Sequence, residues 1–254
     1  MHRQSREWVV NMIALYAVRN SVSWDSIEVD RILETIHLAD KVRILKFKKN
    51  EDKMRALLAV LLARYALATA LQMPEGELIV ERLENGRPFL KEPAEWKGDF
   101  NLTHSGEWVV CALNSAGRIG VDTEKIEEID INLFKGVLTR TELEVLTGNK
   151  EDSIPTFFSL WSRKESFVKA LGTGLSYPLE KVEFVPIPDS DSYQVYLLGG
   201  SFITSWYCKD FYLDKRYSLA VCTDKLPFPE SLNFLDASDL LSGQMSTSYG
   251  SINE

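Results

Sequence analysis

Asp122 and Glu124 lie two apart in the run IGVDTEKI (119–126), whose composition reads as a strand. Both carboxylates therefore leave one face while Thr123 leaves the other. Two acids so placed make half a site for a hard cation, since Mg²⁺ takes a few carboxylate oxygens and completes its octahedron with water and phosphate oxygens. Farther on, WSRKESFVKALG (161–172) sets Trp161, Glu165 and Lys169 at successive i, i+4 positions, which brings an acid and an amine onto one helix face. Taken singly, each feature has a plainer reading. An acid-x-acid pair at a strand end is commonly a solvated edge, and a Glu–Lys pair four apart is an ordinary helix pair.

Two turns add polar groups. Asn101-Leu102-Thr103-His104-Ser105-Gly106 ends a strand, and His104 is one of only three histidines, with His2 and His37. Beside Ser105 it could donate to a phosphate. Asn85-Gly86-Arg87-Pro88 puts an arginine in a tight turn, suited to a phosphate or nucleobase. Lys41, Arg43, Lys46, Lys48, Lys49, Lys53 and Arg55 form a dense basic run that is either a local anion site or a solvated helix face.

The elements that must position these groups alternate in texture. Met12 to Val18 reads as a strand, Ser26 to Lys53 as helix with breaks, and the Ala/Leu-rich Arg55 to Leu71 as a helix buried on most sides. Short β runs follow at Leu78 to Arg82, Phe100 to Thr103, Trp108 to Leu113 and Ile119 to Glu124, expected as a meander. A second helical block is expected over Asn132 to Leu146, with Thr141 as a cap. A third runs from Pro155 to Leu171 and is ended by Gly172. Strands return at Val182 to Val185, Tyr193 to Leu198, Phe202 to Tyr207 and Tyr217 to Thr223. Helices then strands thus occur twice, with the turnover near Gly120, which reads as two similar α+β halves packed side by side.

In bulk, 254 residues with 45% hydrophobic and 26% charged content describe an ordinary globular chain. A net charge of −8 argues against non-specific binding to a nucleic-acid backbone. The apolar stretch Trp8 to Val18 is interrupted by Asn11 and is far short of the ~20 residues a bilayer span needs, so no membrane role is expected. Three widely spaced cysteines, Cys111, Cys208 and Cys222, suggest neither a disulfide framework nor a zinc site and fit a reducing cytoplasm.

The order of the motifs resembles that of the Sfp-type 4′-phosphopantetheinyl transferases. In that family a Gly-(Lys/Arg)-Pro turn, an Asn-x-(Ser/Thr)-His-Ser turn, a Gly-(Val/Ile)-Asp-x-Glu strand and a Trp-(Ser/Thr)-x-Lys-Glu-(Ser/Ala)-x-x-Lys helix follow one another. Here they stand at Gly86 to Pro88, Asn101 to Ser105, Gly120 to Glu124 and Trp161 to Lys169. The resemblance runs from about Met12 to Glu230, with Thr103 and Arg87 as minor departures. It implies an α+β pseudodimer, here residues 1–119 and 120–228 with a partly frayed tail at 229–254, and an active site between the halves.

It further implies transfer of the phosphopantetheine arm of coenzyme A to a serine of an acyl or peptidyl carrier protein, with Mg²⁺ on Asp122, Glu124 and Glu165. Glu165 and Lys169 would be the catalytic pair. Coenzyme A would be held by Lys48, Lys49, Arg55, Gly86, Arg87, Pro88, Thr103, His104, Ser105, Asp122 and Lys169. Full-length similarity favours a monomer serving nonribosomal peptide or polyketide synthases. The segment Ile129 to Val137 offers Ile131, Leu133, Phe134 and Val137 to a carrier helix or, equally, to the core of the second half. A metal-dependent nuclease fits worse, because the chain lacks interleaved aromatic and basic residues. A binding-only relative would be expected to have lost an acid or Lys169, and neither is missing.

Overall fold

The structure is a computed structural model that describes residues 12–20, 26–148, 151–198 and 202–242. Its first half runs β1 (Ile13–Arg19), α1 (Ser26–Leu33), α2 (Leu38–Leu45), α3 (Asn50–Leu71), β2 (Ile79–Arg82), β3 (Pro88–Glu92), β4 (Asp99–Ser105) and β5 (Trp108–Asn114). The second runs β6 (Ile119–Lys125), α4 (Arg140–Gly148), α5 (Ser153–Leu171), β7 (Val182–Pro186), β8 (Ser192–Leu197), β9 (Phe202–Asp210) and β10 (Tyr217–Thr223). In each half the opening strand pairs antiparallel with the closing strand, β1 with β5 and β6 with β10. The closing strand then pairs with the one before it. The two halves share one connectivity, and the fold is an α+β pseudodimer.

Two more elements, β11 (Asn233–Leu235) and α6 (Ala237–Ser242), return to the first half. The sheet orders are β11-β1-β5-β4 and β6-β10-β9-β8-β7, with β2-β3 as a separate hairpin. β1 is buried on both faces because its sheet has a layer on each side. Ala14, Tyr16 and Val18 meet α3, whereas Ile13, Leu15 and Ala17 meet Ile119, Val121, Leu219 and Val221 of the other sheet. The outer face of that second sheet is covered by α5 through Phe167 and Val168. The order of layers is therefore α3, first sheet, second sheet, α5, with the catalytic candidates where the second sheet meets α5.

The apolar circumference of α3 is explained by its neighbours. Ala66 and Leu67 face the sheet, while Leu57 and Val60 pack with Ile32, Leu33 and Ile36 of the α1 region and Ile44 of α2. Each leucine so buried stabilises the fold by about 1.5–3 kcal/mol. By length and composition α3 could cross a membrane, but most of its apolar surface is buried inside this core.

Three expectations need correction. The strands over 78–124 do not form one meander; β2 and β3 stand apart and β6 joins the other sheet. The block expected as helix from Asn132 breaks in two: Ile131–Val137 is a 3₁₀ turn with Gly136 in it, and α4 starts after Thr139. Thr139 is the capping residue in place of Thr141. Its N–H donates to Glu142 Oε2 (2.8 Å) and its hydroxyl accepts from the Glu142 N–H (3.2 Å), a reciprocal capping box. The tail, expected as partly frayed, is structured as far as α6, with Leu232, Ala237 and Leu240 buried. Its remainder, 243–254, lies outside the described residues, as does the start of the Trp8 to Val18 stretch.

Candidate active site

Gly120 lets α5 lie directly on β6, because a Cβ there would collide with the Ser166 carbonyl and the Ala170 nitrogen. That close approach sets Asp122 and Glu124 against Glu165 and Lys169. Lys169 Nζ donates to Asp122 Oδ1 at 2.7 Å, to Thr103 Oγ1 at 3.3 Å and to the Val121 carbonyl at 3.3 Å. Glu124 Oε2 accepts from Ser105 Oγ at 3.2 Å, and the Trp161 side chain also donates to Glu124. Trp161 is itself held by the rings of Phe134 and Phe157.

Crowding three acids around one ammonium has an electrostatic signature. Burial first, and then the charge of Asp122, push the pKa of both Glu124 and Glu165 above the ordinary glutamate value. Asp122 is 3% exposed, and its Oδ2, like Glu165 Oε1, is buried without a hydrogen-bond partner. Such orphaned carboxylate oxygens carry a desolvation cost that a bound cation would relieve.

Next to this cluster opens a cleft of about 330 Å³ whose lining includes Arg43, Arg82, Gly86, Pro88, His104 and Lys169. Asp40 is the acid that meets both arginines, at 3.5 Å from Arg43 and 3.3 Å from Arg82, so positive charge remains for an anion. Arg43 Nε is buried without a partner. Desolvation and then the charges of Arg55 and Lys169 push the His104 pKa below its ordinary value. Cationic walls, a ring able to take up a proton and an acidic floor reached through Lys169 describe a site for a polyphosphate beside a proton-transfer centre.

Comparison with known proteins agrees half by half. The model of the 4′-phosphopantetheinyl transferase N-terminal family matches residues 23–116, and that of the 4′-phosphopantetheinyl transferase superfamily matches residues 118–222. The 4′-phosphopantetheinyl transferase Sfp of Bacillus subtilis is 30% identical over 224 residues, covering 84% of this chain and 93% of that one. The chain belongs to the 4′-phosphopantetheinyl transferase family. A more distant relative is the L-aminoadipate-semialdehyde dehydrogenase-phosphopantetheinyl transferase of Pongo abelii, 28% identical over 212 residues, with 76% of this chain and 68% of that one covered. The two family matches meet where the two halves of the fold meet, just before β6.

The transferase brings together most of the residues expected from its sequence, but not all. Asp122, Glu124, Glu165 and Lys169 converge. Among the described residues no three acidic, imidazole or thiol side chains stand ready-made as a metal cage. What suits a cation is the pair of orphaned oxygens and the excess of carboxylates over Lys169. His104, Gly86 and Pro88 line the cleft.

Lys48 and Lys49 do not; both are exposed at the start of α3 and outside the cleft lining. Arg55 pairs with Asp52 and donates to the Gly106 carbonyl at 2.8 Å, bracing the turn after His104. Arg87 borders the cleft, but its guanidinium bonds the Lys169 carbonyl, Asp99 (2.7 Å) and the Ile119 carbonyl (3.0 Å), tying β4, β6 and α5 together. Thr103 and Ser105 face β6 rather than the cleft. Of the four apolar residues offered to a carrier, Ile131, Phe134 and Val137 pack against the core around Leu138 and Phe157, while Leu133 is 79% exposed. Sequence reasoning missed Arg82, and it treated Arg43 only as one member of a charge run.

Proposed function

We propose that this transferase moves the 4′-phosphopantetheine arm of coenzyme A onto a serine of an acyl or peptidyl carrier protein and releases 3′,5′-ADP. The observation that carries the reading is Lys169, which lines the cationic cleft while its ammonium sits 2.7 Å from Asp122 in the acidic cluster. Arg43, Arg82 and His104 would hold the phosphates of coenzyme A, with Gly86 and Pro88 beside its nucleotide. When Mg²⁺ is bound, Asp122, Glu124 and Glu165 would hold it, and it would supply charge neutralisation at the pyrophosphate.

The serine hydroxyl forms the new bond to the β-phosphorus while the bond from that phosphorus to the bridging oxygen of the pyrophosphate breaks. Glu165 takes the serine proton. Its Oε1 is buried without a competing donor and so is open to that proton. The electron pair of the broken bond leaves with 3′,5′-ADP, whose new charge Lys169 neutralises or protonates. Asp122 and Thr103 keep the Lys169 ammonium on that spot.

Of the four apolar residues in 131–137, Leu133 is the one free to meet a carrier helix. The reading extends to nonribosomal peptide or polyketide carriers and to a monomer, both supported by likeness to Sfp over 84% of this chain, and to the cytoplasm, supported by three buried free cysteines.

The test is the intact mass of recombinant carrier domains after incubation with coenzyme A, Mg²⁺ and the protein, with an EDTA arm. A gain of about 340 Da, the mass of one added phosphopantetheine, abolished by EDTA is expected. No gain on several unrelated carriers would overturn the reading.

A further inference from the structure

β4 and β6 are edge strands of different sheets, yet they run side by side without a backbone ladder between them. The link is made by side chains. β4 presents Asp99, Asn101, Thr103 and Ser105 on one face at a period of two. Each accepts a hydrogen bond from a backbone N–H of β6. Asp99 Oδ2 takes Ile119 N–H (3.1 Å), Asn101 Oδ1 takes Val121 (3.1 Å), Thr103 Oγ1 takes Thr123 (3.3 Å) and Ser105 Oγ takes Lys125 (3.0 Å). The other edge of β6 is paired with β10. A strand edge that would otherwise leave four N–H groups unpaired is satisfied by a row of short polar side chains.

Thr103 carries this row into the active site. A hydroxyl has one proton to donate and two lone pairs. Here the oxygen accepts from Thr123 N–H and from Lys169 Nζ (3.3 Å) and donates to Asp122 Oδ1 (3.4 Å). All three capacities are taken, and none remains for a ligand phosphate. Next to it, Ser105 Oγ takes Lys125 N–H and donates to Glu124.

We infer that the Asn101-x-Thr103-x-Ser105 run is a clamp fixing the register between the two halves, and that Thr103 is a positioning residue for Lys169 and Asp122, not a contact for coenzyme A. The inference rests on the roles given above to Lys169 and Asp122. It divides the motif by the period of the strand. The odd positions hold β6, Asn101 also bordering the cleft, whereas His104, pointing the other way, faces it.

The experiment compares the full chain with Thr103→Val, Thr103→Ser, Asn101→Ala and Ser105→Ala. It measures kcat and KM for coenzyme A at saturating carrier, together with amide hydrogen exchange. Thr103→Val keeps the shape and removes the hydroxyl; it should lower kcat about 10- to 100-fold with KM for coenzyme A within about twofold. Thr103→Ser should restore kcat to near that of the parent. A rise of about tenfold or more in KM at unchanged kcat would make Thr103 a coenzyme A ligand and overturn the inference, as would an unchanged kcat.

The clamp is read separately. Exchange should quicken at Thr123 in Thr103→Val, at Val121 in Asn101→Ala and at Lys125 in Ser105→Ala, and unchanged protection at these amides would overturn it. If Thr103→Val did not fold, Asn101→Ala and Ser105→Ala would still decide the clamp. If the parent transferred nothing, the proposed function would fall while the exchange data still answered for the clamp.

Discussion

The two faces of α5 carry lysines five residues apart that do opposite things. Lys164 is fully buried on the side of β7, where its ammonium donates to the carbonyls of Leu179 (2.8 Å) and Val182 (2.7 Å) and pairs with Glu142 at 3.0 Å. Lys169 is on the side of β6, 30% exposed, with one carboxylate, one hydroxyl and one carbonyl beside an open cleft. Both ammonium groups have three partners. The difference is access. A lysine closed in by carbonyls is an anchor, whereas one that lines a cleft can exchange a partner for a ligand.

Breaking the comparison at its reactive end should have the largest effect. Asp122→Ala removes the carboxylate that holds Lys169 and the centre of the acidic cluster, and transfer to carrier should fall below detection by intact mass. Lys169→Ala should lower kcat by about 10²–10³, leave coenzyme A affinity mostly intact by calorimetry and cost about 1–2 kcal/mol of stability, since buried Asp122 loses its main donor.

At the anchoring end the loss should be one of stability. Lys164→Ala leaves Glu142 buried and unpaired and should cost about 3–5 kcal/mol in urea unfolding. Replacing both partners, Lys164→Met with Glu142→Gln, should cost less than the two single changes together.

The pH dependence sharpens the same contrast. Burial pushes Lys164 below its ordinary value of 10.5 and Glu142 above its ordinary 4.5. For Lys164 the folded chain binds fewer protons than the unfolded chain between the lowered value and 10.5, so its contribution to stability rises with pH there. For Glu142 the folded chain binds more protons between 4.5 and the raised value, so its contribution rises as pH falls through that window. Glu142→Gln should flatten the acidic side of the stability curve.

On the reactive face, burial and the charge of Asp122 hold the pKa of Glu124 and Glu165 above the ordinary glutamate value before a cation binds. Protons should therefore compete with Mg²⁺ there, and its affinity, read by calorimetry, should weaken as pH falls toward that range. The smallest effect expected is proton uptake at His104 when coenzyme A binds, read by calorimetry in buffers of different ionisation enthalpy. An anion beside a ring whose pKa is now lowered would raise it again.

What the sequence made legible follows from local spacing. Period two in the strand 119–125 and period 3.6 in α5 were enough to bring Asp122, Glu124, Glu165 and Lys169 together, because each pattern fixes a face. The duplicated order of elements gave the two halves for the same reason. Lys48 and Lys49 were over-read, because charge density along a chain does not say which way the side chains point. Arg82 was missed, since a lone arginine at the end of a short strand announces nothing until Asp40, 42 residues earlier, is folded against it. The clamp was invisible as well; its acceptors are side chains, but its donors are backbone groups twenty residues on. The hairpin strand β3 was not expected because it opens with Pro88, which reads as part of the preceding turn.

One feature of the first sheet bears on how the chain is made. Its edge strand β11 comes from Asn233–Leu235 and pairs parallel with β1, more than two hundred residues earlier. During translation the N-terminal half leaves the ribosome with that edge of β1 open and the clamp residues of β4 without their partner strand. The first half is finished only by a segment made after the sheet of the second, so a nascent chain stopped after β10 should hold both halves and still wait for its closing strand.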